Sequence, residues 1–267
     1  MQEKEIAYAL VTGGSEGIGR AIAIELAKKQ IPLIIVALDQ PVLARTAQEI
    51  REEYGVEVHT FGIDLSRDDA PEQVYKWFKT RNFSLRVLVN NAGFGRSGLM
   101  HDIRLSEYYT MIDLNNRATV GLTYLLLPEL QLHPEAHILI MSSMEAALPL
   151  PYKAVYAGTK NFLYGYGLAL REELAGTSVN VSILCPGPTV TNESGMKRLK
   201  AQPNSKYLVS MPDKVAKLGI DGMFRKKNII VPGFFPATLF RLGRLMPAGM
   251  KMNLLEKIAQ NFKNNPG

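Results

Sequence analysis

Tyr156 and Lys160 are the residues of this sequence whose types and spacing point most directly to chemistry. They lie four positions apart in the segment AVYAGTKNFLYGYGLAL, and on a helix this spacing puts the phenol and the ammonium on one face. A phenol ordinarily ionises near pH ~10, and a nearby cation lowers that pKa because it favours the phenolate. Such a tyrosine can exchange a proton with an alcohol or a ketone near neutral pH. Ser143 ends the apolar run HILIMSS and can supply a hydrogen bond to the same oxygen.

The N-terminal segment predicts the framework that positions these side chains. The run IAYALVT indicates a buried strand, the turn GGSEGIG follows at once, and RAIAIELAKKQ is typical of a helix. Gly13 allows a tight turn, Gly17 lets the backbone approach a pyrophosphate, and Gly19 lets the helix pack closely on the strand. Free N–H groups at the start of that helix suit a phosphate. We therefore predict dinucleotide binding at this turn, with further contacts from Ser15, Glu16 and Ile18.

Four more motifs follow the glycine-rich turn in a fixed order. They are NNAG at 90–93, Asn115, Ser143 with Tyr156 thirteen residues later and Lys160 beyond it, and PGPTVT at 186–191. With TGGSEGIG before them, they give a pattern that resembles the short-chain dehydrogenase/reductase family over residues 5–232. The resemblance implies a single-domain Rossmann fold, a nicotinamide cofactor and a catalytic group formed by Asn115, Ser143, Tyr156 and Lys160.

The pattern of apolar segments agrees with that fold. Strands are predicted at 6–12, 31–38, 56–63, 85–90, 136–142, 178–184 and 228–232. Helices are predicted at 17–29, 41–54, 70–80, 104–131, 152–175 and 211–226. Strands that alternate with helices indicate right-handed crossovers. We therefore expect an α/β chain with one domain, residues 1–267, on a doubly wound, mostly parallel sheet of seven strands with helices on both faces.

The resemblance also implies a reaction, which is hydride transfer between nicotinamide and a carbinol or carbonyl carbon. Tyr156 would exchange the proton, and Ser143 would orient the substrate oxygen. Lys160 would lower the pKa of Tyr156 and bind the nicotinamide ribose. Asn115 would hold a water molecule that links Lys160 to solvent, with the adjacent Asn116 as the alternative. A catalytically silent dinucleotide-binding regulator or scaffold of the same fold is the second functional hypothesis.

Further cofactor contacts are implied by the resemblance at the ends of later strands. Asp64, beside Leu65, matches the residue that bonds the adenine amino group; a helix N-cap is the alternative role, for which Ser66 is an equal candidate. Small side chains would let the backbone pass close to the ribose and pyrophosphate at Asn91, Ala92 and Gly93. The loop that would hold the nicotinamide carboxamide contains Pro186, Gly187, Thr189 and Thr191. Turn formation alone could also explain its Gly-Pro pair.

The end of the second predicted strand, LIIVALDQ, favours NAD over NADP. Ala37 stands where NAD-dependent relatives carry an acid, and Leu38 where NADP-dependent relatives carry an arginine. Asp39 follows closely enough to reach the ribose. The carboxylates of Asp39 and of Glu16, which is in the glycine-rich turn, make the end of the second strand unfavourable for a 2′-phosphate. NADP stays open because Arg20 or Arg45 could approach from another side.

Composition excludes several other functions. The net charge is +6, but residues 192–267 carry 14 Lys and Arg against 4 Asp and Glu, a net of +10 that leaves −4 elsewhere. No aromatic-interleaved basic patch accompanies this charge, so we expect no nucleic-acid partner. The four histidines lack metal-ligand spacing, and the single Cys185, most simply a small core residue, precludes an internal disulfide. The N-terminus has no signal-peptide pattern, and we expect a cytoplasmic protein.

Substrate and partners are predicted only by class. The segment 192–227 is predicted to form a basic substrate lid, and the pocket wall is mostly apolar, which favours a hydrophobic ketone or secondary alcohol. Its predicted members are Phe94, Met144, Leu148, Pro149, Leu150 and residues 192–210. The tail 234–267 mixes large apolar and basic side chains. We favour a homo-oligomer arm over an anionic membrane contact or packing on its own domain.

Overall fold

The structure, a computed structural model, describes residues 6–190 and 210–263. Seven strands form one sheet in the order β3-β2-β1-β4-β5-β6-β7, and every neighbouring pair is parallel. The strands are β1 (Ala7–Thr12), β2 (Leu33–Ala37), β3 (Val58–Gly62), β4 (Ser84–Asn90), β5 (Ala136–Met141), β6 (Val179–Leu184) and β7 (Ile229–Ile230). This strand order confirms the predicted doubly wound Rossmann fold, because the sheet grows outward in both directions from β1 and β4.

Helices connect the strands and continue beyond β7. They are α1 (Gly17–Lys28), α2 (Pro41–Tyr54), α3 (Ala70–Thr80), α4 (Leu105–Ile112), α5 (Ala118–Gln131), α6 (Ala154–Glu173), α7 (Pro212–Phe224), α8 (Phe234–Leu245) and α9 (Ala248–Lys263). The single helix predicted over 104–131 is wrong in one respect. A π-helical segment, Asp113–Arg117, separates α4 from α5 and contains Asn115. Such widened turns often occur at functional sites.

Two apolar cores cover the two faces of the sheet. Alternate residues of β1 point to opposite faces, so Ala9 and Val11 join the core under α1, α2 and α7, whereas Tyr8 and Leu10 join the core under α3, α5 and α6. Burial on both faces explains why the strands are nearly continuous apolar runs. Among the helices that the structure describes, none has the length and apolar character needed to cross a membrane.

A third apolar cluster joins the tail to the segment that follows Ser143. Phe240 of α8 and Leu255 of α9 pack in it with Met144 and Leu148. The inner face of the tail is therefore packed on its own domain, which was one of the three predicted roles. The outer face of α8 and α9 leaves large apolar side chains exposed.

The carboxyl ends of β1 and β4 are fastened together at the point where the strand order reverses. The Thr12 hydroxyl accepts hydrogen bonds from the backbone N–H groups of Asn91 and Ala92, at 2.9 Å each, and donates one to the carbonyl of Val89 at 3.2 Å. In open α/β sheets this crevice is where ligands bind. The predicted site residues gather around it.

Candidate active site

Tyr156, Ser143 and Lys160 lie together, although they come from different elements. Ser143 follows β5, Tyr156 is in the first turn of α6, and Lys160 is one turn further along that helix. The Ser143 side chain lies near enough to the Tyr156 hydroxyl to act on its pKa, and the Lys160 Nζ lies 5.7 Å from the centre of the Tyr156 ring. Lys160 is held there because its Nζ donates to the carbonyl of Met141 at 2.9 Å. The helical spacing of four residues therefore places the phenol and the ammonium side by side, as predicted.

The expected lowering of the Tyr156 pKa is wrong for the protein's own groups. Burial and the negative charge of Glu145 together raise that pKa to about 12, and the Ser143 side chain acts in the opposite direction. Burial also lowers the pKa of Lys160 to about 8, with Cys185 and Glu145 acting in the opposite direction. Desolvation is the largest effect on both pKa values, because each group is enclosed by protein, where its charged form is disfavoured.

Asn115 is buried and its side chain joins three elements. Its Oδ1 accepts from the backbone N–H of Phe94 at 3.0 Å, and its Nδ2 donates to the Phe94 carbonyl and to the Thr159 hydroxyl, at 3.1 and 3.0 Å. The adjacent Asn116 binds the Thr159 carbonyl at 2.9 Å. Asn115 thus ties the loop after β4 to the helix that carries Lys160. The role predicted for it in holding water stays a prediction.

The glycine-rich turn has the geometry that a pyrophosphate requires. Gly13 and Gly17 have φ values of +63° and +55°, which side chains rarely adopt. A Cβ on Gly19 would collide with the carbonyl of Gly13, so helix and turn can approach only without one. Glu16 makes no side-chain hydrogen bond at the start of α1, and the first turn of that helix has no acidic residue. These residues fit a nicotinamide dinucleotide, whose phosphates take the free N–H groups. Ser15 and Ile18 lie half-buried in the same turn.

The residues predicted at the adenosine end lie at the carboxyl ends of β2 and β3. Leu38 is 50% exposed. The Asp39 side chain lies against Gly62, where an added Cβ would come within 2.8 Å of its carboxylate. Asp64 accepts hydrogen bonds from the N–H and hydroxyl of Ser66, at 2.9 and 2.7 Å, and neither residue caps α3, whose N-cap position is Asp69. The Leu65 side chain is in the core.

Arg20 and Arg45, the two cations that leave NADP open as the cofactor, both line a cavity beside the glycine-rich turn. This cavity of about 330 Å³ contains both positive and negative side chains. Its lining residues are Ser15, Glu16, Gly17, Arg20, Val42, Arg45, Thr46 and Glu49. Arg20 is paired with Glu49 at 2.9 Å, whereas Arg45 has no ion pair within the described part of the chain. Arg45 is therefore the available cation for a phosphate on the adenosine ribose.

The predicted nicotinamide loop is anchored beside Ser143. The Pro186 carbonyl accepts from the backbone N–H of Met144 at 2.9 Å, and the Thr189 hydroxyl donates to the Gly187 carbonyl at 3.0 Å. Thr191 and the lid residues 192–209 lie outside the described residues. At the end of β6, Cys185 is fully buried and its pKa is raised to about 12 by burial, so it is an inert core residue.

Glu145 and Lys153 are site residues that the sequence argument missed. Glu145 is buried two positions after Ser143, and its Oε1 accepts a hydrogen bond from Lys153 Nζ at 2.8 Å. Lys153 Nζ also lies 5.7 Å from the centre of the Tyr156 ring. The only sequence signal was an acidic residue two positions after Ser143 in an otherwise apolar segment.

The comparisons with known proteins decide the family. A family model described as short chain dehydrogenase matches residues 7–202. The chain belongs to the short-chain dehydrogenase family. This match confirms the family resemblance that the sequence motifs carry. A very-long-chain 3-oxoacyl-CoA reductase of Laccaria bicolor is 32% identical over 212 residues, which are 79% of this chain and 61% of that protein. The chain thus spans about three fifths of the length of this curated relative.

Solved structures share the fold over most of the chain. A 7β-hydroxysteroid dehydrogenase superimposes with a TM-score of 0.85 at 20% identity, covering 95% of this chain and 98% of that one. A short-chain dehydrogenase from Sphingobium yanoikuyae, in complex with NADPH, has a TM-score of 0.77 at 25% identity and covers 88% of this chain and 91% of that one. The first comparison concerns the fold, whereas the second also concerns a relative that binds a nicotinamide cofactor.

Proposed function

We propose that this short-chain dehydrogenase transfers a hydride between a nicotinamide cofactor and a hydrophobic ketone or secondary alcohol, with Tyr156 as the acid and base. The observation that carries the proposal is the placement of the Lys160 Nζ 5.7 Å from the centre of the Tyr156 ring, with Ser143 near enough to act on the pKa of the phenol. The bound cofactor supplies or accepts the hydride. The chain's own residues do the remaining work, which is to bind, to orient and to move a proton.

In the reductive direction Tyr156 gives its hydroxyl proton to the carbonyl oxygen while the carbonyl carbon accepts the hydride. The proton forms the O–H bond of the alcohol as the carbonyl π bond is lost, and a reduced nicotinamide held beside the carbon would supply the hydride of the new C–H bond. Ser143 holds the carbonyl oxygen within reach of the phenol. Lys160 binds the cofactor ribose, and its ammonium stabilises the phenolate that remains. Asn115 keeps the loop after β4 against α6 through Phe94 and Thr159.

A long-chain 3-oxoacyl thioester is the substrate class that we favour. The relative in Laccaria bicolor is named a very-long-chain 3-oxoacyl-CoA reductase. Apolar side chains surround the segment after Ser143, where Met144 and Leu148 are buried and Leu150 is half-buried. An acyl chain would find an apolar wall there, and the basic residues after Asn192 would suit an anionic carrier group.

NAD is the cofactor that we favour, because Leu38 stands where a 2′-phosphate would need a cation and Glu16 and Asp39 are close to it. Arg45 is the residue that would carry NADP binding if that preference were reversed. We also propose a cytoplasmic homo-oligomer, in which the outer apolar face of α8 and α9 is covered by a second copy of the chain. The exposed Phe234, Leu242 and Leu245 support that proposal.

Turnover of 3-oxoacyl thioesters of increasing chain length, beside a panel of steroid and aromatic ketones, tests this function. Each substrate is assayed with NADH and with NADPH. We expect cofactor oxidation that rises with acyl length and is lost in Tyr156→Phe. Cofactor binding without turnover of any carbonyl would contradict the enzyme proposal and favour the silent regulator.

A further inference from the structure

A buried carboxylate lies beside the proton donor. Glu145 is 9% exposed and belongs to the short 3-10 turn Met144–Ala146 that follows Ser143. One of its oxygens accepts from Lys153, but the other, Oε2, is buried and has no hydrogen-bond partner among the described residues. A carboxylate held in this way is costly, because burial disfavours a charge that is incompletely hydrogen-bonded. Its position calls for a reason other than stability.

The Glu145–Lys153 pair is built into the frame of the catalytic group. Glu145 donates its backbone N–H to the Ser143 hydroxyl at 3.2 Å. Lys153 is the N-cap residue of α6, three positions before Tyr156. The ion pair therefore joins the two ends of the segment 145–153, between the predicted substrate-orienting serine and the helix that carries the phenol. Two ammonium groups lie near the Tyr156 ring, since Lys153 Nζ and Lys160 Nζ are both 5.7 Å from its centre.

Among the described residues that act on the pKa values of Tyr156 and Lys160, Glu145 is the one anionic group. The titratable groups that act on Tyr156 or on its neighbours come from the segment after β5, from α6 and from the end of β6. They are Glu145, Lys153, Lys160 and Cys185. Cys185 is neutral because its pKa is raised to about 12. The negative charge of Glu145 raises the pKa values of both Tyr156 and Lys160. The Lys153 ammonium pairs with Glu145 at 2.8 Å and opposes the rise that burial causes in the pKa of that carboxyl.

We propose that Glu145, held by Lys153, is a positioning residue that keeps the proton on Tyr156 and thereby suits the site to carbonyl reduction. The inference rests on the proposed function. Reduction needs a protonated phenol at the start of the reaction, whereas oxidation needs the phenolate. A fixed anion near the phenol favours its protonated state. Two nearby ammonium groups lower the free energy of the phenolate that forms during turnover.

The test replaces Glu145 by the neutral, isosteric glutamine. In protein labelled with [13C]-tyrosine, the Tyr156 signal is assigned by its loss in Tyr156→Phe. Its titration is then followed in the wild type, in E145Q and in the matched control E172Q. The control changes an exposed carboxylate of α6, the helix that carries Tyr156. We expect the titration of E145Q to begin about one pH unit lower than in the wild type, and that of E172Q to be unchanged. An unchanged titration in E145Q would overturn the proposal.

A pH profile of turnover gives a second readout that a merely structural role would not move. With a long-chain 3-hydroxyacyl thioester and NAD, oxidation by E145Q should be about tenfold faster than by the wild type below the titration midpoint, because more phenolate is present. With the 3-oxoacyl thioester, the loss of reduction at high pH should move to lower pH. An oxidation rate equal to that of E172Q at every pH would contradict the proposal.

Two controls separate the possible failures. If E145Q folds poorly, the double variant Glu145→Met with Lys153→Met removes both charges, a change that is often tolerated in a protein interior. A downward shift smaller than that of E145Q is expected, since the anion that raises the pKa of Tyr156 is gone together with one of the two ammonium groups near its ring. The nuclear magnetic resonance titration needs no turnover, so it decides the role of Glu145 separately. Full activity of Tyr156→Phe would overturn the proposed function instead.

Discussion

A Cβ atom built on Gly95 would lie 2.8 Å from Cδ2 of Tyr156, because the backbone of the loop after β4 runs against that ring. The contact leaves no space for a side chain between this loop and the ring. Such a short distance forces either the ring or the loop to move. Gly95 therefore belongs to the catalytic frame, although it carries no functional group.

Gly95→Ala should lower kcat by displacing the phenol, while the fold is kept. The matched control is Gly158→Ala on α6, where an added Cβ meets nothing within 4 Å. That control should keep full activity and gain about 0.5 kcal/mol or more in the free energy of unfolding, because alanine is the better helix former. Steady-state kinetics and thermal melts measure both effects. Equal activity of the two variants would show that the ring tolerates the displacement.

Tyr156→Phe should lower kcat by roughly two orders of magnitude or more, the usual scale for lost acid–base catalysis. The fold and the affinity for the cofactor should change little, since the ring remains in place. Tyr166→Phe, on the same helix, is the matched control and should remain active. Kinetics and cofactor titration measure the two quantities separately. Activity of Tyr156→Phe within a few-fold of the wild type would end its assignment as the proton donor.

The cofactor preference can be measured by titrating the protein with both reduced dinucleotides. NADH should bind at least as tightly as NADPH, and Leu38→Arg should improve the affinity for NADPH by adding a cation at the end of β2. A tenfold wild-type preference for NADPH, about 1.4 kcal/mol, would contradict this prediction. In that event Arg45→Met should remove the preference, because Arg45 lines the cavity beside the glycine-rich turn.

His137 predicts an acid-sensitive fold. It is fully buried in β5, neither ring nitrogen has a hydrogen-bond partner among the described residues, and burial lowers its pKa to about 4. The unfolded chain, with a pKa near 6.5, therefore binds a proton more readily than the folded one. The resulting stability is fully present above pH ~6.5 and is lost as the pH falls through this interval towards 4, by about 3 kcal/mol in all.

Urea unfolding of the wild type and of His137→Leu at several pH values between 4 and 7 tests this linkage. The free energy of unfolding of the variant should depend less on pH across this interval. The control His101→Leu changes an exposed histidine and should follow the wild type. Parallel pH profiles for wild type and His137→Leu would mean that His137 does not carry the acid sensitivity.

The sequence predicted the parts of the site that depend on local pattern. Strand and helix periods account for the turn around Gly13 and Gly17 and for the spacing of Tyr156 and Lys160. The structure places these residues as expected. The direction of the Tyr156 pKa did not follow, because it depends on enclosure by segments distant in sequence. Burial acts there more strongly than the charge that the spacing provides.

Two other features left no pattern to read. The π-helical segment Asp113–Arg117 lies between two helices, and its Asn115 makes tertiary hydrogen bonds to Phe94 and Thr159 that no local pattern predicts. The pairing of Glu145 with Lys153 joins residues eight positions apart across an irregular segment. Neither the helical nor the strand period brings such residues together, so only the folded chain reveals the contact.

The outer face of the tail gives the last prediction. Phe234 is 91% and Leu245 83% exposed, and Phe235 and Leu242 lie on the same helix. So many exposed apolar side chains indicate a partner surface. We expect a homo-oligomer in dilute solution. Deleting residues 234–263 should lower the oligomer mass or cause aggregation, because the deletion also uncovers the third apolar cluster.

A milder variant changes Phe234, Phe235 and Leu245 to serine, with Leu218→Ser on α7 as its control. Light scattering should give a lower mass for the triple variant alone. A monomeric wild type would contradict the oligomer, and sedimentation with anionic vesicles, weakened by salt, would then favour a membrane surface.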